Sequence, residues 1–280
     1  MTPRTITIGG DLTINRLGFG AMRLTGPNIW GPPADLDGAL AVARRAVELG
    51  VNHIDTADSY GPGVSEELLA EALHPYPEGL LIGTKAGQTR PSPTEWKPVG
   101  RPEYLRQQVE LSLRRLRLET IDLFWLHRVD PQVPAAEQYG ALARMRDEGK
   151  VRHVGLSQVT VAQIEEARET VEIVGVQNLY NLTTRTDDDV LDHCTREGLM
   201  FVPWLPIAAG AHAASDGTLA EVAAEVGATP VQVSLAWMLH RSPVVCPIPG
   251  TASVAHLEEN LGAADVTLTD EQYDRLAKLG

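Results

Sequence analysis

Asp55, Tyr60, Lys85 and His127 are the side chains of this sequence best suited to proton chemistry, and each follows or ends a short apolar run. Asp55 and Tyr60 lie in His53-Ile54-Asp55-Thr56-Ala57-Asp58-Ser59-Tyr60-Gly61, where the run starting at Val51 turns polar. Lys85 ends Leu80-Leu81-Ile82-Gly83-Thr84-Lys85, and His127 ends Ile121-Asp122-Leu123-Phe124-Trp125-Leu126-His127. An ammonium at the end of a buried run needs a counter-charge, because burying a lone charge is costly. Asp55, on the neighbouring run, can supply it. An ammonium beside Tyr60 favours the phenolate, so the phenol is expected below its reference of about 10. That would make Tyr60 a proton donor near neutral pH. An N–H of His127 could orient a substrate oxygen. Each group also has an ordinary reading: Asp55 as a turn cap, Tyr60 as a loop aromatic, Lys85 in a plain ion pair, His127 as a satisfied core histidine. Recurrence at consecutive run ends favours one shared site. Ser157 and Gln158 end the next run and Gln177 the one after.

The elements that must position these groups follow a regular rhythm. Thr5–Ile8 and Leu12–Ile14 flank Gly9-Gly10-Asp11, which reads as a β-hairpin. Eight apolar runs then follow, at Leu17–Met22, Val51–Ile54, Leu80–Lys85, Ile121–His127, Val151–Ser157, Ile173–Gln177, Met200–Trp204 and Val244–Ile248. Between them lie segments of helical spacing, several stopped by glycine (Gly50, Gly149, Gly198). A proline-rich loop with Pro91, Pro93, Trp96 and Pro98 is expected after the third run. Near-continuous apolar strands imply burial on both faces and hence a parallel sheet. Eight strand–helix units without a long linker predict an α/β protein, a closed (β/α)8 TIM barrel with an N-terminal β-hairpin, as one domain over 1–280. An open doubly wound sheet would want a glycine-rich phosphate turn early, and Gly18-Phe19-Gly20 lacks the third glycine. Reactive groups of a barrel collect at the carboxyl ends of its strands, where Asp55, Lys85, His127, Ser157 and Gln177 fall.

Charge narrows the partners. With 24 basic and 37 acidic residues the net charge is −13, which argues against nucleic acid or an anionic membrane. Cys194 and Cys246 form neither a disulfide framework nor a metal spacing, so no metal is expected and a reducing, cytoplasmic setting fits. The N-terminal residues 1–5 show no apolar leader, and no apolar run is long enough to span a bilayer. A monomer or weak homo-oligomer acting on a small molecule is expected.

Six ordered motifs carry a resemblance along nearly the whole chain. They are D-T-A-x-x-Y-G at Asp55–Gly61, T-K at Thr84-Lys85, L-H at Leu126-His127, G-L-S-Q at Gly155–Gln158, V-Q-N at Val176–Asn178 and I-P-G-T…E-E-N at Ile248–Asn260. In this the chain resembles the aldo-keto reductases. The resemblance implies hydride transfer from NADPH to an aldehyde or ketone without metal. It makes Tyr60 the general acid, Lys85 and Asp55 its tuning pair and His127 the carbonyl-orienting group. It also places Ser157, Gln158 and Gln177 at the nicotinamide carboxamide, and Trp204 on the ring in place of the usual tyrosine. Gly20, Ala21, Met22, Leu205 and Pro206 are expected against the cofactor. Gly250, Thr251, His256, Glu259 and Asn260 match its adenine and 2′-phosphate end. Gly250 stands where some members have lysine and His256 where many have arginine, which leaves NADH possible. Trp30, Trp96 and Arg128 are candidates for the substrate pocket. The long C-terminal loop of larger members is not expected after the last helix, and an open pocket is expected with it. The run Gly26–Pro33 is similar to bacterial members that include pyridoxal reductases. Two other readings remain: a non-catalytic NADP(H)-binding regulatory subunit, and a Schiff-base aldolase built on Lys85.

Overall fold

The computed structural model describes residues 3–208 and 217–280, so Met1 and Thr2 of the N-terminal run lie outside the described residues. A hairpin, β1 (Thr5–Ile8) and β2 (Leu12–Asn15), comes first. Seven parallel strands form the main sheet: β3 (Phe19–Gly20), β4 (His53–Asp55), β5 (Leu81–Ala86), β8 (Ile121–Leu126), β9 (Val151–Ser157), β10 (Ile173–Gln177) and β11 (Met200–Phe201). Their order is sequential, β3-β4-β5-β8-β9-β10-β11, as expected of a barrel rather than a doubly wound sheet. Ten helices, α1 (Leu36–Glu48) to α10 (Asp270–Ala277), are present among the described residues. Three of them, starting after Thr160, Thr229 and Thr269, open with a threonine–glutamine capping box.

The eighth run is not a regular strand. Residues 244–248 still close the barrel through single bonds: Phe201 N–H to Val244 O (2.9 Å), Cys246 N–H to Phe201 O (2.8 Å) and Gly18 N–H to Pro247 O (3.0 Å). Pro247 and Pro249 have no N–H to donate, so a full ladder cannot form there. The loop expected after the third run is a second hairpin, β6 (Gln88–Ser92) and β7 (Glu95–Pro98). It tolerates its prolines because each strand pairs on one edge only.

Strand alternation divides the core. On β8, Leu123 and Trp125 join an inner cluster with Ile8, Ile14, Leu81, Met200 and Ile248, while Phe124 and Leu126 join the outer strand–helix layer. Ile8 and Ile14 come from the hairpin, which therefore contributes to the barrel interior. Trp125 fills the interior, fully buried. Gly155 on the adjacent strand makes room for it, since a Cβ there would overlap the indole ring. No single described helix is long and apolar enough to cross a membrane.

Candidate active site

Three strands set the polar cluster. Asp55 ends β4 opposite Gly83 of β5, and Lys85, two residues on, is opposite Trp125 of β8. Side chains two apart on a strand share a face, which puts Asp55, Lys85 and His127 together. Lys85 is fully buried. Its ammonium is ion-paired with Asp55 Oδ2 and donates to the Thr56 carbonyl at 2.7 Å and to Tyr60 Oη at 3.5 Å. The other Asp55 oxygen accepts from Gln177 Nε2 at 2.9 Å. Tyr60 meets the His127 ring edge-on, centroids 5.9 Å apart, and Trp96 at 6.5 Å. His127 Nδ1 lies 3.3 Å from Ser59 Oγ.

The loop bearing Tyr60 is tied down at several points. Asp58 N–H donates to the Lys85 carbonyl (3.0 Å) and Gly63 N–H to the Asp58 carbonyl (2.7 Å). Thr56 Oγ1 donates to Ser65 Oγ at 2.8 Å. Arg90 bonds the carbonyls of Asn28 (2.9 Å), Ile29 (3.0 Å), Ser59 (3.4 Å) and Pro93 (2.6 Å), and its guanidinium packs 3.6 Å from the Trp96 ring centre. One side chain thus joins the loops after β3 and β4 to the second hairpin.

Burial governs the protonation states. It would strip the proton from Lys85, but Asp55, with Tyr60, more than offsets this and holds the ammonium above its ordinary value. Burial likewise raises the Tyr60 phenol, with Lys85 and Arg128 opposing. The net direction is opposite to that expected from the lysine alone, because desolvation outweighs the neighbouring charge. His127 is held well below 6.5 by burial, Lys85 and Arg128, so its imidazole is neutral at neutral pH.

A cavity of about 890 Å³ opens over this cluster. Asp55, Tyr60, Trp96, His127 and Arg128 line it together with Ser157, Gln177 and Trp204. So do Gly20, Met22, Leu205 and Pro206, and, from the segment after the eighth run, Gly250, Thr251, His256, Glu259 and Asn260. Lys85, Ala21, Gln158 and Trp30 do not line it. Lys85 supports the wall from behind. The Gln158 amide oxygen accepts from Leu179 N–H (3.3 Å) and Trp204 Nε1 (3.1 Å). Gln158 is left-handed (φ 55°), a backbone in which asparagine is several-fold enriched. Trp30 faces Arg90 at 5.5 Å.

Arg23 was not legible as a lining residue, yet it is exposed at the cavity. Gly250 explains why. A Cβ there would lie 2.6 Å from the Gly20 carbonyl and 3.8 Å from Arg23 Cγ. The two backbones are too close for a side chain at 250, and Arg23 occupies the adjoining space. At α9 (Val254–Leu261) the Ser253 hydroxyl accepts from His256 N–H at 3.5 Å, leaving the earlier N–H groups of the first turn open.

Proton-bearing groups at the carboxyl ends of barrel strands, opening on a cavity of this size, are the arrangement of a barrel enzyme that acts on a small organic molecule. The chain belongs to the aldo/keto reductase family, whose sequence profile matches residues 16–280. It is 50% identical over 271 residues to an uncharacterized oxidoreductase of Schizosaccharomyces pombe, covering 97% of this chain and 88% of that one. It is 45% identical over 282 residues to the pyridoxine 4-dehydrogenase of Escherichia coli, covering 99% and 98%. Its fold superposes with TM-score 0.86 on an aldo-keto reductase from Klebsiella pneumoniae in complex with NADPH, at 25% identity, covering 100% and 95%. The chain is accordingly an oxidoreductase dependent on NADP(H).

Proposed function

We propose that this enzyme reduces an aldehyde or ketone to the alcohol, with Tyr60 as the proton donor. One observation carries the reading: the Lys85–Asp55 pair lies directly behind Tyr60, and Tyr60 and His127 together face the cavity. The cavity fits the cofactor. Close packing of Gly20 against the 248–250 segment leaves backbone rather than side chain on that wall, since a Cβ at Gly20 would lie 2.7 Å from the Ile248 carbonyl. Ser157 and Gln177 would hold the carboxamide, and Trp204 offers a flat face to the ring. Glu259 and Asn260 would hold the adenine end, with Arg23, Thr251 and His256 near the 2′-phosphate. Bound there, NADPH supplies hydride to the carbonyl carbon.

The chain's own groups do the rest. Neutral His127 donates an N–H to the carbonyl oxygen and fixes its direction. Tyr60 keeps its proton at neutral pH and delivers it to that oxygen as charge develops. Lys85 stabilises the phenolate left behind, and Asp55 keeps Lys85 charged. A Schiff base on Lys85 is disfavoured, because that nitrogen is protonated, fully buried and absent from the cavity wall.

For substrate we propose pyridoxal or another aromatic or small carbonyl compound. The aromatic wall of Tyr60 and Trp96 supports this, as does the likeness to a pyridoxine 4-dehydrogenase. The test is NADPH oxidation with 4-nitrobenzaldehyde and pyridoxal, beside NADPH fluorescence quenching. Tyr60→Phe should lower kcat by roughly 10²–10⁴-fold with cofactor binding kept. Near wild-type turnover in that variant would refute the role.

A further inference from the structure

Arg128 lines the cavity immediately after His127 and is half-buried. Its Nη1 donates to the His127 carbonyl at 2.6 Å and to Ser157 Oγ at 3.1 Å. A guanidinium has five N–H donors in a fork that matches carboxylate or phosphate. Among the described residues no carboxylate lies within 4.0 Å of it. Other sheltered arginines differ. Arg115 is paired with Glu66 at 2.6 Å, and Arg241 with Asp192 at 2.7 Å. Arg16 and Arg90 are each enclosed by backbone carbonyls. Arg128 alone of these combines open donors with a place on the cavity wall. A cation partly withdrawn from water without a counter-ion is costly, and an anion entering the cavity relieves that cost.

Resting on the carbonyl-reductase reading, we propose that Arg128 receives an anionic group of the substrate, a carboxylate or a phosphate. The preferred substrates are then anionic aldehydes or ketones. The reaction adds hydride to the carbonyl carbon and a proton to its oxygen, and the anionic group is unchanged. Its place beside His127 and Ser157 puts this anion near the reacting carbonyl.

Matched substrates test this. Wild-type enzyme should show kcat/KM about 10-fold or more higher for 4-carboxybenzaldehyde than for methyl 4-formylbenzoate, the effect of one charge-assisted bond. Pyridoxal 5′-phosphate against pyridoxal gives the same comparison for phosphate and separates the two sources. In Arg128→Met the ratio should fall to about one, and in Arg128→Lys much of it should survive. A readout without turnover is tryptophan fluorescence, since Trp96 and Trp204 line the cavity. Benzoate should bind wild type more tightly than methyl benzoate, and Arg128→Met should abolish the difference. No anion preference in wild type for either pair overturns the proposal. So does a preference that Arg128→Met retains. Failure of wild type to oxidise NADPH with any neutral aldehyde sinks the reductase reading instead, and benzoate binding still judges Arg128.

Discussion

Asp55→Asn isolates the interaction on which the candidate site is built. Lys85 is fully buried and Asp55 is 3% exposed by side chain, so the pair is sheltered from solvent screening. Asparagine keeps the shape and an oxygen for Gln177, but removes the charge. Breaking a buried pair by removing one partner costs about 3–5 kcal/mol. There is a ceiling, because the stranded lysine can shed its proton instead. At pH 7 that costs about 4.6 kcal/mol for a lysine of reference pKa about 10.4. The expected loss of about 4 kcal/mol shifts the unfolding equilibrium about a thousandfold. Its pH dependence is the diagnostic. With Asp55 gone, burial loses its main opponent and only Tyr60 still favours the charged form, so the folded-state pKa of Lys85 should drop below its unfolded value. Between the two values the unfolded chain holds more protons, so the variant gains stability as pH rises. At pH 9 the ceiling is only about 2 kcal/mol. In the wild type the folded pKa of Lys85 is raised, so its contribution is intact below about pH 10.4 and is lost only above that. Urea unfolding followed by tryptophan fluorescence at pH 7 and pH 9 reads both effects. Adding Lys85→Met to Asp55→Asn should restore most of the loss. A penalty below about 1 kcal/mol at pH 7, the size of an exposed pair, would refute the reasoning.

Acid should weaken the fold through His53, which is fully buried, has no hydrogen-bond partner for either ring nitrogen, and has its pKa lowered by burial to about 4. The unfolded chain takes up this proton first, so as pH falls from about 6.5 towards 4 about 3 kcal/mol is withdrawn; His53→Gln should flatten that part of the urea-midpoint profile. Gly155→Ala should destabilise by about 1–3 kcal/mol or more, because its methyl overlaps the buried Trp125 ring. An unchanged melting temperature would mean that the barrel interior is not packed as described. Arg23→Ser should raise the Kd for NADPH about 10-fold more than that for NADH, the effect of one charge-assisted phosphate bond. Equal changes for both cofactors would place Arg23 away from the 2′-phosphate.

Periodicity by itself determined the architecture. Apolar runs of four to seven residues, alternating with helical segments, leave few options but a parallel sheet covered by helices. The polar residue at the end of each run was visible because it breaks an otherwise apolar pattern, as Asp55 and Lys85 do. What the sequence could not supply was distance between segments remote in the chain. It could not show that Pro247 turns the eighth run into a bonded but irregular closure, or that a proline-rich stretch folds back as the hairpin carrying Trp96. Nor could it show that Gln177 holds the far oxygen of Asp55, 122 positions away. The direction of the Tyr60 shift was also beyond it. A neighbouring charge can be inferred from spacing, but desolvation depends on everything packed around the phenol, and only the folded barrel fixes that. Arg128 follows the same rule: its residue type was plain, and its value comes from the carboxylate partner that the tertiary structure withholds.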